Sequence, residues 1–245
     1  MDLRARRFLN LLVVLSGSVL VWQASAELPW PARALTTLLL VVLPAGLLVQ
    51  VRFRDEVPDG MARKDIYLSS IIGILVMAAV AVLAARASGF TWYRLGFRVP
   101  GWSTGVAALL TTAAGLGVVG AVRALRVPEG RLVAYMLPRT AAERALFVGV
   151  SLAAGVGEEL TFRSFLIPAV ESAAGDAWLA AGLSAGAFGL IHSYQGALGA
   201  IRAGLLGFVL AVPFVVTGSV VPSMVAHTVL DIVLGFWLAD WAMRV

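Results

Sequence analysis

Residues 66–85 read IYLSSIIGILVMAAVAVLAA, twenty consecutive positions without Asp, Glu, Lys or Arg. A helix of that length crosses a hydrocarbon layer about 30 Å thick. Arg63, Lys64 and Asp65 precede the run and Arg86 follows it, so charge brackets it as charge brackets a membrane span. It reads as a transmembrane helix, and the rest of the chain repeats the pattern.

Uncharged stretches also run from Phe8 to Ala26, Ala34 to Val51, Val99 to Val122, Ala145 to Gly157, Ala177 to Ile201 and Ala203 to Leu230. The stretch from Ala145 is expected to continue through a charged patch to about Ile167, since Pro168 suits a helix end. The last stretch is too long for one span. Thr217-Gly218-Ser219, with Pro222 soon after, marks a turn that divides it into Ala203–Val216 and Val220–Ala239. The expectation is an all-α polytopic membrane protein of about eight helices, one membrane domain over residues 1–245. The first stretch has a second reading. Arg4, Arg6 and Arg7, an apolar run and Ala24-Ser25-Ala26 resemble a cleavable signal. The run is long for a signal, which favours a retained helix.

Composition agrees. The 245 residues are 60% hydrophobic and 13% charged, with a mean hydropathy of +0.91, whereas a soluble domain is nearer half apolar and about a quarter charged. Cysteine is absent, which removes thiol nucleophiles, thiolate metal sites and disulfides together. The net charge of +5 is explained by topology. With the N-terminus in the cytoplasm, 13 Lys and Arg fall inside and four (Arg33, Arg86, Arg94 and Arg98) outside, with Arg163 and Arg202 within or beside helices. That bias places both termini in the cytoplasm of a multi-pass cell-membrane (inner or plasma) protein. It directs the basic residues to anionic lipid of the bilayer rather than to nucleic acid.

Charges inside the membrane cluster late in the chain, where an ionisable side chain costs about 2.5–3.5 kcal/mol at a helix centre. In Glu158-Glu159-Leu160-Thr161-Phe162-Arg163, Glu159 and Arg163 are i and i+4 with the acid first, the favourable order for an ion pair. Glu158 is turned about 100° away. Either both acids neutralise Arg163, or Glu159 is structural and Glu158 is available for proton transfer. Phe188 and His192 share a helical face, as do His227 and Asp231. Each histidine alone reads as a packing residue. Together, the two histidines of the chain and one acid on separate helices are enough to activate water.

The motifs Glu158-Glu159-x-x-x-Arg163, Phe188-x-x-x-His192 and His227-x-x-x-Asp231 resemble, in order and spacing, those of the CAAX protease and bacteriocin-processing family. Its members are intramembrane glutamate endopeptidases that include the eukaryotic Ras-converting CAAX endopeptidase. The resemblance spans residues 142–232. Leu95-Gly96-Phe97-Arg98 resembles a short upstream element of bacterial members, and residues 204–219 resemble their glycine-containing helix. The resemblance implies Glu158 as catalytic carboxylate, His192 as its partner in activating water, and His227 and Asp231 as oxyanion stabilisers. It implies no cofactor, and a membrane-associated or C-terminally processed protein or peptide as substrate. Where the family often has Asn, this chain has Asp231; an ionised carboxylate only accepts hydrogen bonds. It would have to be protonated, or act by orienting His227.

Other readings use the same residues. Glu158, His192 and His227, with Asp231, could hold Zn²⁺ as a metalloprotease, although no H-E-x-x-H helix is present. A non-catalytic scaffold or a proton-relaying transporter is a further alternative. A transporter generally shows paired repeats, and the first half of this chain has no counterpart to the charged motifs.

Overall fold

A computed structural model describes residues 3–51, 60, 62–124 and 131–242. Of the basic residues behind the topology argument, Arg52, Arg54, Arg126 and Arg244 lie outside the described residues. Helices are the only regular elements among those described. They are α1 (Leu3–Ala24), α2 (Trp30–Thr37), α3 (Leu43–Val51), α4 (Arg63–Ala87), α5 (Trp102–Ala124) and the short α6 (Arg131–Met136). Then come α7 (Ala141–Glu159), α8 (Ile167–Ala174), α9 (Ala177–Ile191), α10 (Gly196–Thr217) and α11 (Val221–Ala242).

A π-helical segment, Leu38–Val42, joins α2 to α3, and another, Leu160–Leu166, joins α7 to α8. Counting those joined rods as single helices, five among the described residues are long and apolar enough to cross a membrane, and three shorter apolar helices accompany them. Large apolar side chains such as Ile72, Val76 and Leu83 on α4 and Leu109 and Leu110 on α5 face outward, where lipid would meet them. The protein is an all-α, multi-pass membrane protein.

Two expected boundaries are corrected. The fifth helix does not stop before Pro168. It runs as one rod over Ala141–Ala174 because the π segment precedes the proline, which becomes a first-turn residue of α8. A first-turn residue needs no N–H donor. The rod stops instead at Gly175, left-handed at φ 73°.

The sixth helix does not reach Ile201. It ends at Ile191, followed by a 3₁₀ turn over Ser193–Gln195 and by Gly196 at φ 85°. Gly196 then opens α10, seven residues before the expected start. The polar Ser193-Tyr194-Gln195-Gly196 is a turn signal that a search for charge-free runs passes over.

The bundle closes through small residues, as membrane helices without a hydrophobic driving force between them require. α7 packs between α4 and α11, and α10 packs on α9 and α5. At Gly155 the α7 backbone touches α11: a Cβ there would meet the Thr228 hydroxyl and stand 2.8 Å from Thr228 N and 3.0 Å from Met224 O. At Gly189, a Cβ would stand 2.7 Å from Ala200 O and 2.9 Å from Gly204 Cα on α10.

Gly155→Ala must therefore push α11 off α7. In thermal unfolding of detergent-purified protein it is expected to cost about 1–3 kcal/mol. Gly182→Ala, with nothing within 4 Å of the added methyl, should not lower the midpoint and should raise it slightly, since Ala is the better helix former.

Candidate active site

Four polar positions from three helical rods line one cavity of about 760 Å³: Glu158, His192, His227 and Asp231. α7 delivers Glu158 and Glu159 at its last two positions, just before the π segment that carries Arg163. α11 delivers His227 and Asp231 one turn apart. His192 caps the C-terminus of α9. The short α9 resolves a mismatch of depth in the sequence, where His192 falls late in one helix and His227 early in another. At 15 residues, α9 rises about 22 Å and ends short of a full membrane crossing, which leaves His192 inside the bundle.

The deepest layer is an ionic cluster. Arg163 and Glu159 are 1% and 0% exposed, and Arg163 Nη1 donates to Glu159 Oε1 at 2.9 Å. Arg163 Nη2 donates to Gly207 O at 2.7 Å, tying the π segment to α10. The guanidinium also lies 4.9 Å from the centre of the Phe188 ring. Glu159 has a second duty that the sequence did not announce: its Oε1 lies 2.8 Å from His227 Nδ1. A carboxylate only accepts, so Nδ1 carries the proton. That bond turns Nε2 toward the cavity, 3.7 Å from Glu158 Oε2 and 3.8 Å from Asp231 Oδ2.

His192 is held by the same logic. Its Nδ1 lies 2.7 Å from Phe188 O, an acceptor, so Nδ1 is the protonated nitrogen. In the neutral ring Nε2 is then left with a lone pair. Phe188 also separates the layers: its ring packs on His192 at 4.4 Å and meets His227 edge-on at 6.1 Å. Glu158 and Asp231 are partly exposed at the cavity, whereas Glu159 is sealed. Among the described residues, no three His, Cys, Asp or Glu side chains are grouped to hold a metal ion.

The cavity runs from these groups to one end of the bundle. Its wall there is built from the end of α5 at Arg123, from α6 at Ala134 and Met136, from the turn at Tyr194 and from Arg202 near the start of α10. Elsewhere it is mainly aliphatic, with Ile74, Leu206 and Leu230 among its residues. Such a space accepts an apolar segment and directs it toward a buried polar cluster. Tyr194 and Gln195 were missed as cavity residues because the sixth helix was read through them.

Residues 140–233 match the model of the type II CAAX prenyl endopeptidase family, Rce1-like. Over that interval the chain is similar to the CAAX protease family. No curated protein and no solved structure matches it. The matched interval contains Glu158, His192, His227 and Asp231 and the Glu159–Arg163 pair. The similarity is to a family of CAAX prenyl endopeptidases and supports a peptidase reading of the cavity.

Glu159→Gln should leave Arg163 without its counter-charge and lower stability by about 3–5 kcal/mol. The double variant Glu159→Met/Arg163→Met should regain most of that stability, because an apolar pair replaces a buried ionic one. It should still cleave slowly, since His227 Nδ1 has lost its acceptor. Thermal unfolding and peptide cleavage measured on both variants separate the two duties. Full activity in the double variant would remove Glu159 from the orientation of His227.

Proposed function

We propose that the protein is a glutamate-type intramembrane endopeptidase in which Glu158 and His192 activate water and His227 and Asp231 stabilise the oxyanion. The observation that carries the proposal is the convergence of these four residues on one cavity. Glu158 serves as general base and His192 orients the same water through its unprotonated Nε2. Water adds to the scissile carbonyl carbon as its proton passes to Glu158. The proton then goes to the leaving amine as the C–N bond breaks.

His227 stabilises the tetrahedral oxyanion through Nε2–H. Because Nδ1 keeps its proton and donates a hydrogen bond to Glu159, donation from Nε2 requires the imidazolium form. Asp231 donates as a carboxylic acid, in the place where the resembled family often has the neutral amide of Asn. Donors of this kind are each worth about 10²–10³ in rate.

The substrate is a membrane-associated or C-terminally processed protein whose apolar segment lies against the aliphatic wall. The cavity opens at the bundle end that carries Arg63, Lys64, Arg123, Arg139 and Arg144, from the loops that hold most of the basic residues. The positive-inside bias makes that end cytoplasmic, and cleavage is assigned to that face of the cell membrane. A zinc mechanism remains the competing chemistry. Incubation with a strong chelator separates the two: unchanged cleavage is expected, and loss restored by added Zn²⁺ would favour the metal.

Glu158→Gln tests the base directly. It should retain the parent's thermal midpoint and lose about 10²–10⁴ in kcat. Unaltered cleavage by the folded variant would end the glutamate mechanism.

Asp231→Asn tests the donor. If the acid form donates, the parent's rate falls as rising pH ionises Asp231, while the Asn variant keeps its activity and loses that alkaline decline. A large loss in the variant at every pH would instead make Asp231 an anion that supports the His227 imidazolium. The pH–rate profiles of both proteins decide.

A further inference from the structure

At the opposite end of the bundle from the candidate active site lies a second pocket of about 320 Å³. The connection between α4 and α5 covers it from one side, and α8, the start of α9 and the end of α10 form the other. Its polar lining includes Arg94, Arg98, Glu171 and Tyr93, and its apolar lining includes Ile167, Phe214 and Val215.

Both guanidiniums are fixed before any ligand arrives. Arg94 donates to Pro168 O at 3.3 Å and to the Ser172 hydroxyl, and it lies 4.3 Å from the Phe90 ring centre. Arg98 Nε donates to Gly218 O at 2.7 Å, and the guanidinium lies 4.1 Å from the Tyr93 ring centre. The polypeptide holds one edge of each fork and leaves further N–H donors for an anion. The loop itself is clamped, since Val220 N donates to Gly96 O at 3.1 Å. Gly96 is at φ 83°, and a Cβ there would stand 2.7 Å from the Phe214 ring. Glu171 is exposed and adds a carboxylate to the same rim.

The depth of the pocket identifies the kind of ligand. Tyr93 lines the pocket, and Trp92, Val99 and Trp102, in or next to the same α4–α5 connection, are exposed, Val99 at 95% and Trp102 at 86%. Trp and Tyr concentrate where a protein meets the headgroup layer. A pocket with two guanidiniums, one carboxylate and an apolar side wall at that level has the chemistry of a lipid headgroup rather than of a soluble anion.

We propose that this pocket binds a zwitterionic phospholipid headgroup of the phosphoethanolamine type, its phosphate on Arg94 and Arg98 and its ammonium at Glu171. The acyl chains leave along the apolar wall formed by Ile167, Phe214 and Val215. The site is independent of peptide hydrolysis and of the assignment of catalytic roles.

Detergent-purified full-length protein, titrated with short-chain phosphatidylethanolamine, phosphatidylcholine, phosphatidylglycerol and free phosphoethanolamine, tests it by thermal shift and native mass spectrometry. The ethanolamine lipid should bind most tightly. Arg94→Gln should weaken it at least about tenfold, the loss expected for a charged hydrogen bond. Glu171→Gln, at an exposed side chain, should abolish the preference for ethanolamine over glycerol and choline headgroups. Arg98 is left intact because it holds the α10–α11 turn. Equal binding by parent and Arg94→Gln, or an unchanged headgroup preference in Glu171→Gln, would overturn the proposal. Binding of free phosphoethanolamine as tightly as the lipid would replace the lipid with a soluble phosphate.

Discussion

The fold depends on a guanidinium that sits where no water can reach it. Arg163 is 1% exposed in the middle of a helical bundle, and an unpaired charge at that depth is not tolerated. Glu159 neutralises it from one turn away, Gly207 accepts from its far side, and the Phe188 ring faces it. Those contacts join the α7–α8 rod to α9 and α10. Through Glu159 and His227 the same cluster reaches α11. One ionic centre thus fixes the mutual position of the rods that carry every candidate catalytic residue.

The backbone around the cluster is shaped to the same end. The π segment Leu160–Leu166 contains Arg163 and stands directly after Glu159, and π-turns inside helices frequently mark functional positions. The Ser184 hydroxyl of α9 reaches its backbone, donating to Phe162 O at 2.8 Å. The glycines at 155 and 189 bring helix backbones close enough for side chains of ordinary length to meet across them. Rigidity at these crossings is what a water-activating site requires, because catalytic groups act over about 3 Å.

The two neighbouring acids are divided by depth. Glu159 faces the sealed interior and spends its hydrogen bonds on Arg163 and His227. Glu158 opens on the cavity, close to the outward nitrogen of the same imidazole. One residue step, about 100° around the helix, therefore separates a carboxylate that orders the protein from one that opens on the cavity. The far end of the bundle repeats the theme with different chemistry: Arg98 carries the turn before α11, while Glu171 remains on the rim of a second pocket.

Much of this was legible in the sequence. Charge-free runs of about twenty residues read directly as helices, because lipid penalises each charge individually and the penalty leaves a mark in one dimension. The Glu159–Arg163 pair was legible for a similar reason, since i,i+4 neighbours meet on any helix. The order and spacing of the motifs around Glu158, His192 and His227 were also visible. Helix ends set by backbone geometry were not. Pro168 reads as a stop until a π-turn places it in a first turn, and the break after His192 carries no charge to announce it. The bond from Glu159 to His227, 68 positions later, and the gathering of three rods around one cavity are absent from any local pattern. Hydropathy determines that a segment enters the membrane. Only the packing of helix on helix decides which face of each segment meets which, because lipid cannot distinguish those faces and close contact between side chains can.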